Sequence, residues 1–372
     1  MIAANDKGLQ LLAKSAAEFA KKELAPDREE NDQFPFGPFF RQVLDKAYAV
    51  DFFHTTLPES LDGIGQGLSA LCLLLDRLSR EDASLAGIIF THTAAQELML
   101  AAGAEETLGA VVREAADAPA GLIGLPVCSH PGETPAALRA DKKENTCLLS
   151  GSLEYVVLGG LAGHILVPAV LSGQTSISWF LLESGQDGLS VSEPVHSLGL
   201  HACPAVDLQL QKVAGRIIGE ENRGQEYFDA MGDKMSVAAA AMSTGIMKGS
   251  LAEALDYGRG RFQGGRAIIN WSEIQMILAS MAVMTKNAEM TVARACQAVD
   301  NREKGWAECS RAAALQVPSM AAELTTDGIQ VLGGVGYMKD FGQEKRFRDA
   351  RHIQSLLGMV PMKKIRYLAP LI

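Results

Sequence analysis

The periodicity of apolar residues changes twice along this chain, from helical to strand-like and back to helical. That order constrains the fold more than any single residue does. Leu9–Leu24 carries apolar residues at helical spacing and stops near Pro26. After a loop with Pro35 and Pro38, the segments Phe39–Tyr48, Leu68–Leu78 and Ala86–Ala102 repeat the helical pattern. From about residue 119 to 215 the chain turns to Val, Ile, Thr, Gly and Pro. Short apolar runs at Cys147–Ser150, Tyr155–Leu158, His164–Val167 and Ile177–Leu182 predict strands of a compact β domain. Beyond about 224, Met235–Tyr257, Trp271–Val299 and Gly305–Leu332 are too long and too rich in Ala and Met for strands, and predict a packed helical bundle. The expected class is α+β, mostly α, with an N-terminal α-helical domain over 1–118, a β domain over 119–223 and a C-terminal helical bundle over 224–372.

The chain has 372 residues, enough for two or three domains sharing a sizeable core. A net charge of -10 disfavours nucleic acid as a partner, because neutralising phosphates takes an excess of Lys and Arg. No apolar run approaches the length of a membrane span, and the amphipathic start does not read as a signal peptide, so a cytoplasmic location is expected. Six scattered cysteines form no C-x-x-C pair, which argues against a disulfide framework and against a zinc site. His201-Ala-Cys203 reads as a variant of the β domain rather than a metal pair, and the charged stretch Lys339–Arg351 as a solvated, salt-bridged loop.

The most specific motif is Asp327-Gly-Ile-Gln-Val-Leu-Gly-Gly-Val-Gly-Tyr337, followed by Arg348-Asp349-Ala350. Gly333, Gly334 and Gly336 allow backbone N–H groups to approach a phosphate without a Cβ in the way. Other segments fall in matching order: Pro58-Glu59, Glu81–Ser84, His92-Thr93, Gly159-Gly160, Gly219–Gly224 and Arg261-Phe-Gln-Gly-Gly265. Together they resemble the acyl-CoA dehydrogenase family along nearly the whole chain. The resemblance implies a helical domain, a β-barrel and a four-helix bundle, assembled as a homotetramer or, with another family member, a hetero-tetramer. It implies FAD as cofactor, an acyl-CoA thioester as ligand and an electron-transfer flavoprotein as acceptor. It further implies that Arg261, Gln330, Gly333 and Gly334 hold the adenosine and pyrophosphate half of an FAD whose flavin ring sits in a neighbouring subunit. Tyr155 and Val157 fall in the cradle for the chain's own flavin, where Val157 replaces a hydroxyl-bearing residue.

The family's catalytic glutamate is missing. Its usual place is taken by Leu357 and its alternative place by Met235, and neither side chain can accept a proton. Met359 stands for a threonine that contacts the flavin, and Ser236 for a common arginine. The backbone N–H of Leu357 remains as a donor to a thioester carbonyl. His92 is a substitute base if it points inward, against the alternative of a structural histidine. Asp233 suits a helix start or a hydrogen bond to pantetheine better than a base. Three readings follow. The chain is a flavoenzyme with a non-standard base; or a catalytically silent subunit that lends half of a partner's FAD site; or, least favoured, an acyl-CoA binding protein without catalysis.

Overall fold

The computed structural model describes residues 7–33, 39–115, 117–133, 137–143 and 146–372; the expected Pro35/Pro38 loop lies outside them. The helical–β–helical order is present. Lys7–Phe19 continues into a π-helical turn at Ala20–Leu24, and Phe39–Ala49, Leu68–Ser79, Ala83–Ala101 and Glu105–Glu114 complete the first helical layer. Asp82 caps Ala83–Ala101 by accepting from the Ser84 N–H at 2.7 Å. That helix is apolar on nearly all sides and buried almost end to end, as expected of a central core helix.

Seven strands follow: β1 (Ile123–Gly124), β2 (Arg139–Lys143), β3 (Thr146–Val157), β4 (His164–Leu171), β5 (Ile177–Glu183), β6 (Leu189–Val191) and β7 (Ala205–Ile218). Pairing runs β4–β2–β3–β7–β5, and β5 pairs back onto β4, so five strands close a ring. This is the barrel the family resemblance implies, and closure removes the exposed edges. β7 alternates buried and exposed residues along much of its length. Leu149, Ile165, Val167, Phe180, Leu182 and Val213 fill a barrel core separate from the larger helical core.

The bundle consists of Gly224–Gly260, Ser272–Asp300, Trp306–Leu332 and a shorter fourth helix, Gln343–Ile353. Close packing against the N-terminal layer depends on glycine: a Cβ at Gly245 would meet the Asp76 carbonyl at 2.3 Å, and one at Gly249 the Arg80 carbonyl at 2.2 Å. Among the described residues no helix is long and apolar enough to cross a membrane.

The Lys339–Arg351 stretch departs from expectation. Lys345 and Arg346 are buried, not solvated, because a helix turns them inward onto carboxylates from other layers. Lys345 Nζ lies 2.6 Å from Asp349 and 3.2 Å from Asp82. Arg348 pairs with Asp32 and, at 2.7 Å, with Glu344. His201, half of the proposed barrel variant, places its Nδ1 2.7 Å from the Asp32 carbonyl oxygen and its Nε2 2.8 Å from the Ser197 carbonyl oxygen. One buried charge network thus joins the N-terminal layer, the barrel exit and the bundle.

Candidate active site

A cleft of about 280 Å³ opens beside Gly224–Gly260, Trp306–Leu332 and the C-terminal helix Val360–Leu368. Phe228, Asp233, Ser236, Arg311, Leu357 and Lys363 are among its lining residues. Asp233 is not at a helix start: it lies well inside Gly224–Gly260 and clasps Arg311 bidentately, one arm at 2.6 Å. The Asp233 carboxylate holds the Arg311 guanidinium above its usual range. Ser236 donates to the Gly232 carbonyl at 2.7 Å, and Met235 is fully buried in the core.

Leu357 sits at the cleft wall in the turn that follows Gln343–Ile353. Its φ is +63° and that of Gly358 is +109°. A left-handed leucine costs about 1 kcal/mol or more, and such strain persists where surrounding contacts hold it. The holding contact is a hydrogen bond from the Leu357 N–H to the Val127 carbonyl at 2.7 Å. The N–H that sequence reasoning kept for a thioester carbonyl is therefore donated within the chain. The Leu357 side chain is 5% exposed and apolar, so no proton acceptor stands at this position.

The flavin cradle is fastened in the same manner. Val157 and Leu125 exchange both main-chain hydrogen bonds, at 3.0 and 3.1 Å, so the Val157 N–H is occupied too. Tyr155 has φ +57° and brings its hydroxyl 3.3 Å from His352 Nε2. Burial pushes the Tyr155 hydroxyl up and the His352 imidazole down. Cys128 Sγ lies 3.6 Å from Ser355 Oγ, and burial pushes that thiol up to about 11. Three contacts, Val127–Leu357, Cys128–Ser355 and Tyr155–His352, bind the barrel edge directly to the segment that carries Leu357. In this arrangement the Leu357 N–H is engaged across that seam and the Val157 N–H within the barrel edge, so neither is free to bond a thioester or a flavin.

His92 lies elsewhere. It is buried in Ala83–Ala101 and absent from the cleft lining; Nδ1 accepts from the Ile123 N–H at 3.1 Å, and the Gln96 amide lies 2.9 Å from Nε2. Desolvation drives its pKa down to about 3, which leaves a weak base with both nitrogens engaged. Its geometry is that of a structural histidine joining a core helix to β1.

The outward-facing residues behave differently. Arg261, Gln330, Gly333 and Gly334 are exposed, and among the described residues neither the Arg261 nor the Gln330 side chain has a hydrogen bond or ion pair. Gly333 takes φ +65°, and a Cβ built on Gly333 or Gly334 would meet nothing within 4 Å. Arg261 leads into a hairpin, Phe262–Gln263 with Arg266–Ala267. At its turn Gly264 has φ +64°, and a Cβ there would strike the Trp271 ring at 2.8 Å. That geometry accounts for the glycine at this position. Tyr257, one turn before Arg261, packs edge-on to Phe341 just beyond the glycine loop, so the two motifs flank one region. This open surface, with the Arg261 and Gln330 side chains unpaired among the described residues, fits the phosphate-binding half of an FAD site.

Sequence reasoning missed Arg311 and Lys363. Neither carries a motif; each acquires its place from packing. Among the described residues no group of His, Cys, Asp and Glu could hold a metal ion.

Comparison with known proteins agrees with this architecture. Residues 7–118 match the acyl-CoA dehydrogenase N-terminal domain and residues 222–359 the acyl-CoA dehydrogenase C-terminal domain. A probable acyl-CoA dehydrogenase of Mycobacterium leprae is 28% identical over 356 residues, covering 93% of this chain and 90% of that one. The CarC subunit of the caffeyl-CoA reductase–Etf complex of Acetobacterium woodii is 24% identical, covering 92% of each chain. The structure of butyryl-CoA dehydrogenase from Megasphaera elsdenii superposes with a TM-score of 0.89 at 22% identity over 98% of both chains. With both family domains matched and the same three-part fold, this chain belongs to the acyl-CoA dehydrogenase family of flavoprotein oxidoreductases.

Proposed function

We propose that this chain is a subunit of an FAD-dependent acyl-CoA oxidoreductase assembly. In that role it binds an acyl-CoA thioester in its cleft and lends Arg261, Gln330, Gly333 and Gly334 to the FAD of a neighbouring subunit. It runs no dehydrogenation at its own cradle. The observation that carries this reading is the Leu357 N–H donated to Val127, with a leucine side chain where the family holds its base. Dehydrogenation needs a base on the α-proton, a donor on the thioester carbonyl and a hydride acceptor. Bound FAD supplies only the last of these. The outer half-site is in the opposite condition: Gly333 and Gly334 are exposed, and among the described residues the Arg261 and Gln330 side chains have no internal partner. A hetero-oligomer with a family member that keeps the glutamate, passing electrons to an electron-transfer flavoprotein, is the setting in which these properties combine; the Acetobacterium woodii relative is itself a subunit of an Etf complex.

A second reading, an active flavoenzyme acting without a strong base, is favoured by one feature: the cleft keeps its Asp233–Arg311 clasp and an ionisable group, Lys363, near the base position. Counting flavin separates the two. Co-expressed with a glutamate-bearing family member, the mixed complex holds about half an FAD per chain on the first reading, and Arg261→Ala in this chain lowers that content. A full complement of FAD, indifferent to Arg261→Ala, contradicts it.

A further inference from the structure

Most ionisable groups of the cleft wall have a side-chain partner within the chain. Asp233 is clasped by Arg311. His130 faces Asp229 at 3.0 Å, and Arg366 meets Glu133 at 2.9 Å. Lys363 also lines the cleft, yet among the described residues its Nζ meets no carboxylate. It donates to the Gln354 carbonyl at 2.8 Å and the Leu356 carbonyl at 2.9 Å, both neutral acceptors. An ammonium has three N–H donors, so one is left over. Leu356 immediately precedes the residue at the family's base position, which fixes this ammonium at the end of the cleft where a reacting acyl group would lie. A partly buried cation with no carboxylate in contact carries a desolvation cost that the more distant Glu133 offsets only in part. Burial accordingly pulls the lysine down to about 8, which leaves it mostly charged at neutral pH.

We infer that the cleft takes a CoA thioester whose acyl group bears a carboxylate, and that Lys363 is the counter-ion that selects it. This deepens the proposed function and rests on its assignment of the cleft to an acyl-CoA. The cleft volume of about 280 Å³ is at the low end for small-ligand sites, which favours a short acyl group. A carboxylate supplies the missing charge and accepts the remaining N–H, and the ion pair forms where solvent is largely excluded.

The test is calorimetric titration of the full-length chain at pH 7 with two ligands of equal length. One is the CoA thioester of a five-carbon dicarboxylic acid; the other has its free carboxylate converted to a neutral amide. The carboxylate is expected to bind on the order of tenfold more tightly. Lys363→Met should remove that difference and leave the amide's affinity unchanged, while Lys363→Arg should retain part of it. Equal affinity of the two ligands for the unmodified chain overturns the inference and leaves the acyl-CoA cleft standing. A preference that survives Lys363→Met overturns it too. If Lys363→Met weakens both ligands alike, the charge serves the CoA phosphates and the inference fails. Binding of neither thioester removes both the inference and the cleft assignment beneath it.

Discussion

Replacing Lys345 with methionine isolates the energetic role of the buried network that joins the three parts of the fold. The lysine is 1% exposed, with Asp349 Oδ2 at 2.6 Å and Asp82 Oδ1 at 3.2 Å. Burial alone would push its pKa down, but Asp349, Asp82 and Asp32 outweigh that and hold it above the usual range. Both carboxylates have other duties: Asp82 caps the Ala83–Ala101 helix through Ser84, and Asp349 accepts from the Leu200 N–H at 2.8 Å. Methionine is close in length and fills the volume, so a cavity adds little. What remains is two buried carboxylates without a cation, and breaking such a cluster costs about 3–5 kcal/mol. Urea unfolding at pH 7, followed by circular dichroism, measures the loss. A loss below about 1 kcal/mol refutes the reasoning.

Other predictions concern single positions. Both ring nitrogens of His201 face oxygen acceptors, with the Asp32 carboxylate 3.2 Å from Nδ1; this hydrogen-bonded pairing raises its pKa above the ordinary histidine value. The contribution is fully present below the unfolded pKa and disappears as pH rises through the folded one. His201→Gln should therefore cost more stability at pH 5.5 than at pH 8.5 in paired thermal melts, by about 1–2 kcal/mol at the acid end. Leu357→Glu exchanges a buried leucine for a carboxylate while its main chain stays tied to Val127. It should destabilise by about 2–4 kcal/mol and yield no dehydrogenation by the isolated chain; acyl-CoA turnover by that variant would show the cradle to be usable. Because a Cβ at Gly334 meets nothing within 4 Å and its φ is not positive, Gly334→Ala should leave the melting temperature within about 1 °C while lowering the flavin content of a mixed complex.

The layered order was legible because it rests on local periodicity. Leu68–Ser79 and Trp306–Leu332 fall within a residue or so of where apolar spacing puts them, and Gly224–Gly260 extends an expected helix by a few turns. Closure of the β domain was legible only through the family resemblance, which implies a barrel: β5 pairing back onto β4 is a contact between strands, and nothing in the pattern of either strand specifies a ring. Burial of Lys345 was equally hidden, since its carboxylates at Asp82 and Asp349 are 263 and 4 residues away and only folding brings all three together. At the site, the loss of the glutamate could be read directly from Leu357. What the Leu357 main chain does could not, because Val127 lies 230 positions earlier and a backbone acceptor leaves no mark on residue identity. Lys363 escaped notice for the related reason that its partners are carbonyls of neighbouring turns.

The central claim is that the barrel edge and the Leu357 turn are joined directly and leave this chain without a usable flavin cradle. The most direct measurement is to incubate the isolated chain with excess FAD, desalt it and read the flavin absorbance retained per chain. The account predicts far less than one FAD per chain, with flavin retained only after a glutamate-bearing family member is added. One FAD per chain held by the isolated protein, and bleached by an acyl-CoA, would contradict it.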